Sequence, residues 1–224
     1  MKPQIKLLLS ATAVAAVLGT SSAFAGASAN VGVASNYIWR GVSQTLDQAA
    51  ISGGLDYDFG NGFSIGTWAS NVDFGGASEY ELDLYGAYGG KIGAADYSIG
   101  FTHYRYPVGT SEYFNEVNGS LGFGAVSLGV AYTLGSDDNN TPEFSKGDLY
   151  YSISGSTEIK PGLSLGATLG HYDFDDNAGD DYNHGQISLS KNDFTFALDK
   201  TSGGTTISDN DLRVSVSWSH SLDL

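Results

Sequence analysis

The sequence predicts an all-β protein: a single antiparallel up-and-down transmembrane β-barrel of about twelve strands. Three observations carry this expectation. Apolar residues recur with period 2 along most of the chain, the connections between strands alternate short and long, and aromatic residues gather next to those connections. Of 224 residues 31 are Gly and 28 aromatic, while charged residues make up only 16%, too few for a disordered acidic chain. No run of 20 apolar residues occurs, which excludes a helical membrane span. A net charge of −15 argues against nucleic acid as a partner, because such binding needs a basic footprint. The chain has no Cys, which removes disulfides, thiolate metal sites and cysteine nucleophiles together.

The chain opens on an export signal. Lys2 and Lys6 precede a short apolar stretch from Leu7 to Leu18, and Ala23-Phe24-Ala25 gives an A-x-A cleavage pattern. Residues 1–25 read as a cleaved signal peptide and 26–224 as the barrel.

Alternation then marks twelve strands, at 28–42, 48–59, 63–71, 79–89, 95–106, 113–122, 125–134, 148–159, 163–172, 182–191, 194–200 and 209–221. In the ninth, Leu163, Leu165, Ala167 and Leu169 alternate with Ser164, Gly166, Thr168 and Gly170; in the last, Leu212, Val214 and Val216 alternate with Arg213, Ser215 and Ser217. Pro107, Pro142 and Pro161 all fall between runs, as a ladder requires. Tight turns such as Gly60-Asn61-Gly62 and Lys160-Pro161-Gly162 alternate with longer linkers such as 135–147 and 173–181. Short turns at one end and long loops at the other characterise an outer-membrane barrel, and strands of about ten residues suit a tilted crossing. Phe59, Phe63, Tyr97, Phe123 and Phe194 flank the short turns. Trp39, Phe74, Tyr80, Tyr104, Tyr113, Tyr132, Tyr150 and Tyr172 flank the long loops, so two interfacial girdles are expected. A soluble β-sandwich with aromatics in its core is the competing fold.

Two segments resemble signatures of a known family. Ser35-Asn36-Tyr37-Ile38-Trp39-Arg40-Gly41-Val42-Ser43-Gln44 resembles the opening motif of the TorF-type porins, also catalogued as the Gcw_chp family. His103-Tyr104-Arg105-Tyr106-Pro107, followed by Glu112, Tyr113 and Glu116, is similar to its second signature, and Asp83-Leu84-Tyr85-Gly86 to a weaker third. The motif residues are thus Tyr37, Trp39, Arg40, Gly41, Tyr104, Tyr106 and Pro107. The resemblance spans essentially the whole exported chain and implies a proteobacterial outer-membrane barrel with a pore role. The ending Ser-Leu-Asp-Leu departs from the terminal Phe or Trp common in such barrels.

Parity assigns the faces. An Arg on the lipid face costs about 2–4 kcal/mol at the midplane, so Arg213, between Leu212 and Val214, must face the lumen. The same reasoning sends Arg40, Asp56, Asp58, Glu81, Asp83, Glu116, Asp148, Glu158 and Gln186 inward, with Arg40 and Arg213 on one wall. His103 and Arg105 share parity with Ile99 and Phe101, so they lie above the hydrocarbon or a bulge resets the register. The lumen lining of Arg40, Asp56, Glu81, Asp83, Glu116, Glu158 and Arg213 predicts a channel for small hydrophilic solutes, leaning towards cations. The competing reading has these groups pair and close the lumen, since twelve strands lie between side-chain-filled small barrels and open porins.

Acids crowd one outer loop at Asp173, Asp175, Asp176, Asp180 and Asp181. Asp173, Asp175 and Asp181 are candidate Ca²⁺ ligands, but the spacing lacks the closing Glu of a calcium loop. A solvated face bridged to lipopolysaccharide by divalent ions is the simpler expectation. No cofactor is expected. No G-x-S-x-G, H-E-x-x-H or Walker pattern occurs. A lipid-modifying barrel enzyme would need Ser beside His171 or His184, which the sequence cannot place, so the expectation is no catalysis. The expected setting is the bacterial outer membrane, with membrane lipid and lipopolysaccharide as neighbours and a monomer or weak homo-oligomer as the state.

Overall fold

Fourteen strands are present in the computed structural model, which describes residues 25–75, 79–107, 112–137, 144–175, 181–204 and 210–224. The expected signal peptide and the tips of the long loops lie outside the described residues. In chain order the strands are β1 (Gly26–Ala34), β2 (Ile38–Trp39), β3 (Val42–Ser43), β4 (Ala50–Asp58), β5 (Phe63–Val72), β6 (Glu79–Ile92) and β7 (Ala95–Tyr106). There follow β8 (Glu112–Phe123), β9 (Val126–Ser136), β10 (Leu149–Lys160), β11 (Leu163–Asp173), β12 (Tyr182–Lys191), β13 (Phe194–Gly203) and β14 (Leu212–Asp223). Twelve of them form one closed antiparallel barrel, each pairing with its neighbours in sequence. β1 closes the ring against β14, from Ser28 opposite Asp223 to Ala34 opposite Ser217. Closure leaves no strand edge, which hydrocarbon would not tolerate. β2 and β3 form a separate hairpin.

The wall is inside out relative to a water-soluble protein. On β9, Val126, Leu128, Val130, Tyr132 and Leu134 are exposed on the outer face, while Ala131 and Thr133 are buried between them. On β14, Leu212, Val214 and Val216 face out, and Arg213, Ser215 and Ser217 face in. Exposed apolar residues next to buried Glu81, Asp83, Glu116, Asp148 and Asp199 are the signature of a lipid-facing exterior round a polar interior. The short connections follow turn chemistry. Pro161 fixes φ at the first corner of the β10–β11 turn, and Gly162 takes the positive φ (72°) of the second.

Two expectations change, and one open alternative is resolved. The first wall strand ends at Ala34, not 42; residues 35–49 leave the wall and fold back inside it. Positive φ at Arg40 (49°), Gly41 (86°), Leu46 (47°) and Asp47 (59°) is incompatible with a continued strand. The outer girdle is also divided. Phe74, Tyr80, Tyr113 and Tyr132 are exposed as expected, but Trp39, Tyr104 and Tyr172 are buried and pack in the lumen. Finally, β7 alternates without interruption, with buried Thr102 and Tyr104 between outward His103 and Arg105. The nearby register shift, at Asn115/Glu116, lies in the pairing of β8 with β9.

This arrangement makes a stability prediction. Ile187, exposed midway along β12, points towards hydrocarbon. Ile187→Arg should cost about 2–4 kcal/mol of folding free energy in bilayers, and Phe194→Arg at the short-turn rim about 0–1 kcal/mol. Denaturant titration of the barrel refolded into vesicles measures both.

A candidate functional site inside the barrel

The segment from Ser35 to Ala49 forms a small folded unit in the outer half of the lumen, towards the long loops. The hairpin β2–β3 turns through Arg40 and Gly41, both with positive φ, as a two-residue hairpin requires. Its internal bonds are dense. Gln44 N donates to Tyr37 O (2.7 Å), Asn36 Nδ2 to Asp47 Oδ1 (2.7 Å), Ser43 Oγ to Asn36 Oδ1 (2.7 Å) and Thr45 Oγ1 to Gln48 O (2.6 Å). Arg213 Nε, from β14, donates to Asp47 Oδ1 at 2.8 Å and ties the segment to the barrel seam.

Arg40 occupies the tip. Its Nη1 and Nη2 donate to Glu116 Oε1 and Oε2, each at 2.8 Å, a bidentate pair buried on β8. The guanidinium carbon lies 4.1 Å from the Trp39 ring centroid, 4.4 Å from Tyr150 and 5.3 Å from Tyr172. Planar stacking and the two-pronged bond are both properties of Arg that Lys lacks. Trp39 itself meets Tyr104 (6.0 Å), Phe114 (6.3 Å), Phe144 (5.7 Å) and Tyr172 (6.3 Å). Gly41 packs so closely on β12 and β13 that a Cβ there would lie 2.7 Å from both His184 Cδ2 and Thr201 Cγ2. The hairpin thus spans the outer lumen and touches several of its walls.

A belt of carboxylates surrounds it. Glu81 accepts from Tyr37 Oη and Tyr106 Oη, both at 2.8 Å, and Tyr104 Oη donates to Glu116 at 3.2 Å. Asp83 is fully buried, and neither of its oxygens has a hydrogen-bond partner among the described residues. Opposite, Asp199 Oδ1 accepts from Gln186 Nε2 (2.8 Å) and meets His184 Nε2 (3.1 Å), whose Nδ1 is 3.3 Å from Tyr150 Oη. With Asp148 also buried, carboxylates outnumber the guanidiniums of Arg40 and Arg213 in this half.

Beneath the hairpin, towards the short turns, lies a cavity of about 340 Å³. Asn30, Gly32, Ser52, Ser64, Asn118 and Ser217 contribute to its lining, and Tyr37 and Ile38 to its boundary with the hairpin. Asp56 lies on its wall, accepting from Tyr85 Oη (2.6 Å) and Asn30 Nδ2 (3.3 Å).

The residues expected to line a pore therefore separate. Arg40, Glu81, Asp83 and Glu116 come together in the outer half, and Asp56 stands in the inner cavity. Arg40 enters on the hairpin and bonds across to β8, so it does not share a wall with Arg213 on β14. Glu158 is exposed at the short-turn rim, where Oε1 accepts from Gly162 N (2.7 Å), so it braces a turn. The sequence motifs converge: Trp39 of the first meets Tyr104 of the second, Tyr37 and Tyr106 both donate to Glu81, Arg40 reaches Glu116, Pro107 lies just past the strand, and Asp83 of the third lies in the same belt. His171 and His184, at neighbouring strand ends, point to opposite faces: His171 outward to Asn183 (3.0 Å), His184 inward to Asp199. Asp173 and Asp175 are exposed. Asp175 N donates to Asp148 Oδ1 (3.1 Å), and Asp181 Oδ1 accepts from Phe174 N (3.0 Å); residues 176–180 lie outside the described residues. Among the described residues, no group of three His, Asp or Glu is arranged to hold a metal ion. Sequence reasoning missed Phe114, Phe144 and Phe174 as lumen packing, and the His184–Asp199 contact. The inward parity of Asp199 with Ala197 and Thr195 was the available signal for the last.

A family model described as a bacterial protein of unknown function (Gcw_chp) matches residues 18–218. No curated protein matches the chain. Among solved structures, the barrel is similar to one reported under "Unveiling the Mechanism Behind the in-meso Crystallization of Membrane Proteins". That likeness has a TM-score of 0.58 and 10% identity, over 89% of this chain and 84% of that one. It is more distantly similar to OccAB4 of Acinetobacter baumannii (TM-score 0.44, 9% identity, 88% and 62% covered). The likeness to LpxR of Salmonella typhimurium is comparable (TM-score 0.46, 10% identity, 87% and 99% covered). Such low identities concern the fold alone.

The pairing of Arg40 with Glu116 makes a specific prediction. Arg40→Ala strands a buried carboxylate and should destabilise the folded barrel by about 3–5 kcal/mol, whereas Arg40→Met with Glu116→Leu should recover most of that loss. Unfolding in detergent by denaturant, read as a double-mutant cycle, checks the recovery.

Proposed function

The chain belongs to the Gcw_chp family of bacterial proteins of unknown function, and on that footing we propose that it is a TorF-type outer-membrane porin, closed at rest by its own inward hairpin. In this reading the exported chain is a monomeric or weakly associated barrel in a bacterial outer membrane. It passes small hydrophilic solutes when the hairpin withdraws, and it favours cations. The observation that carries the reading is the division of the lumen. The inner half keeps a cavity of about 340 Å³ whose lining mixes Ser, Gly, Asn and Asp56 with larger side chains such as Trp68 and Tyr85. The outer half carries an excess of carboxylates, which favour cations at a constriction. The buried Arg40–Glu116 ion pair ties the hairpin tip to β8 beside the Trp39-centred aromatic packing. The reading requires no covalent chemistry of the protein.

A second reading, a permanently sealed structural barrel, draws support from the Trp39-centred packing. Single-channel recording in planar bilayers separates the two. The porin reading predicts a wild-type protein that is mostly closed. Removing both charges with Arg40→Ala and Glu116→Gln should raise the open fraction about tenfold, equivalent to about 1.4 kcal/mol of lost closure. A permanently sealed barrel conducts in neither form. Where current flows, Glu81→Gln with Asp83→Asn should move the reversal potential towards non-selectivity; an unchanged potential contradicts the assignment of these residues to the conduction path.

A further inference from the structure

Basic side chains on the lipid-facing wall require an explanation of their own. Arg105 and His103 are outward neighbours on β7, with outward Ile99 and Phe101 below them, in a chain whose net charge is −15. From Ala95 at the short-turn end, Arg105 is ten residues along β7. At about 3.3 Å per residue and a tilt of about 40°, that rise is about 25 Å along the barrel axis, the height of the apolar band. Arg105 therefore stands where hydrocarbon gives way to headgroups on the long-loop side. It makes no ion pair or hydrogen bond with any described residue. His103 is held from the adjacent strand: its Nδ1 is 2.8 Å from Asn115 Oδ1, and the Tyr113 ring lies 5.2 Å from its own. With Asn115 Oδ1 accepting, Nδ1 carries the proton, and Nε2 is left without a hydrogen bond among the described residues. The carboxylate of Asp137 is committed to the β8 backbone, where Oδ1 accepts from Tyr113 N (2.9 Å).

We propose that His103 and Arg105 bind a phosphate of lipopolysaccharide, the lipid A phosphate of the outer leaflet, on the outside of the barrel. The proposal rests on the outer-membrane reading above and assigns a lipid partner to a surface the pore does not use. An anion is needed because the Arg105 guanidinium stands at the membrane boundary with no ion-pair partner among the described residues. Lipid A is the committed occupant because the long-loop end, where the pair sits, faces the outer leaflet in that reading. The barrel carries its own contrast. Four strands round the ring, His171 on β11 meets Asn183 (3.0 Å) and Tyr151 (ring centroids 5.2 Å) in the same arrangement, but its outward neighbour two residues on is Asp173. A carboxylate there repels a phosphate, so the His–Asn–Tyr unit alone is not the site.

The test uses the full exported chain refolded in detergent, with binding of bisphosphorylated Kdo₂-lipid A read by native mass spectrometry. Arg105→Ser and His103→Ala are each expected to weaken binding about fivefold, His171→Ala to leave it unchanged, and dephosphorylated lipid A to bind poorly. Equal binding by wild type and Arg105→Ser, or no loss on removing the phosphates, overturns the proposal. So does stronger binding of phosphatidylglycerol than of lipid A. Heat-modifiable gel mobility reports the membrane reading separately: variants that retain it but keep full lipid A binding refute the lipid site alone, while a wild type soluble without detergent refutes both.

Discussion

A guanidinium held inside a strand ring governs the interior of this protein. Arg40 cannot leave Glu116 without abandoning a buried carboxylate, and it cannot reach Glu116 unless the hairpin folds inward. Burying such a pair contributes little net stability against an apolar substitute, because desolvation offsets the Coulomb attraction. What it contributes is position. Two parallel bonds fix the orientation of the tip, the rings of Trp39, Tyr150 and Tyr172 fix its depth, and Gly41 fits only where His184 and Thr201 leave no room for a Cβ.

The rest of the lumen is arranged around that choice. Inward positions near the hairpin carry long polar or aromatic side chains: Glu81 accepts from Tyr37, Tyr104 packs on Trp39, and His184 lies against Gly41. Those below it carry Ser, Gly and Asn, and a cavity results. One wall thus has a packed outer half and an open inner half, while its outside keeps an apolar belt. The register shift at Asn115/Glu116 lies beside the carboxylate that receives Arg40, the kind of place where bulges re-aim a side chain.

The wall was legible in the sequence because a membrane barrel obeys a strict rule: side chains alternate between lipid and lumen, and turns must be short at one end. Leu163 to Gly170 could be read directly, and so could the closure of β1 on β14. The interior was less legible because the same alternation runs on through Tyr37, Trp39 and Gly41, where the chain has already left the wall. Only the left-handed backbone at Arg40 and Gly41 distinguishes the hairpin from a strand, and Arg at such a position gives no sequence warning. The same ambiguity misplaced aromatics. Tyr104 and Tyr172 stand at strand ends like girdle residues, yet parity points them inward to Trp39. Glu158 obeys inward parity but lies too close to a turn to line anything. The motif residues, by contrast, were pointers to one place: segments far apart in sequence meet around Arg40.

Hydrogen–deuterium exchange of residues 36–45 in the refolded barrel tests the inward fold most directly. A hairpin held by Arg40 and Glu116, with Gln44 N bonded to Tyr37 O, should exchange on the timescale of the barrel strands, over hours. Complete exchange of the segment within seconds, while β8 and β12 remain protected, would mean that it is a free outer loop and that the lumen is not filled as described.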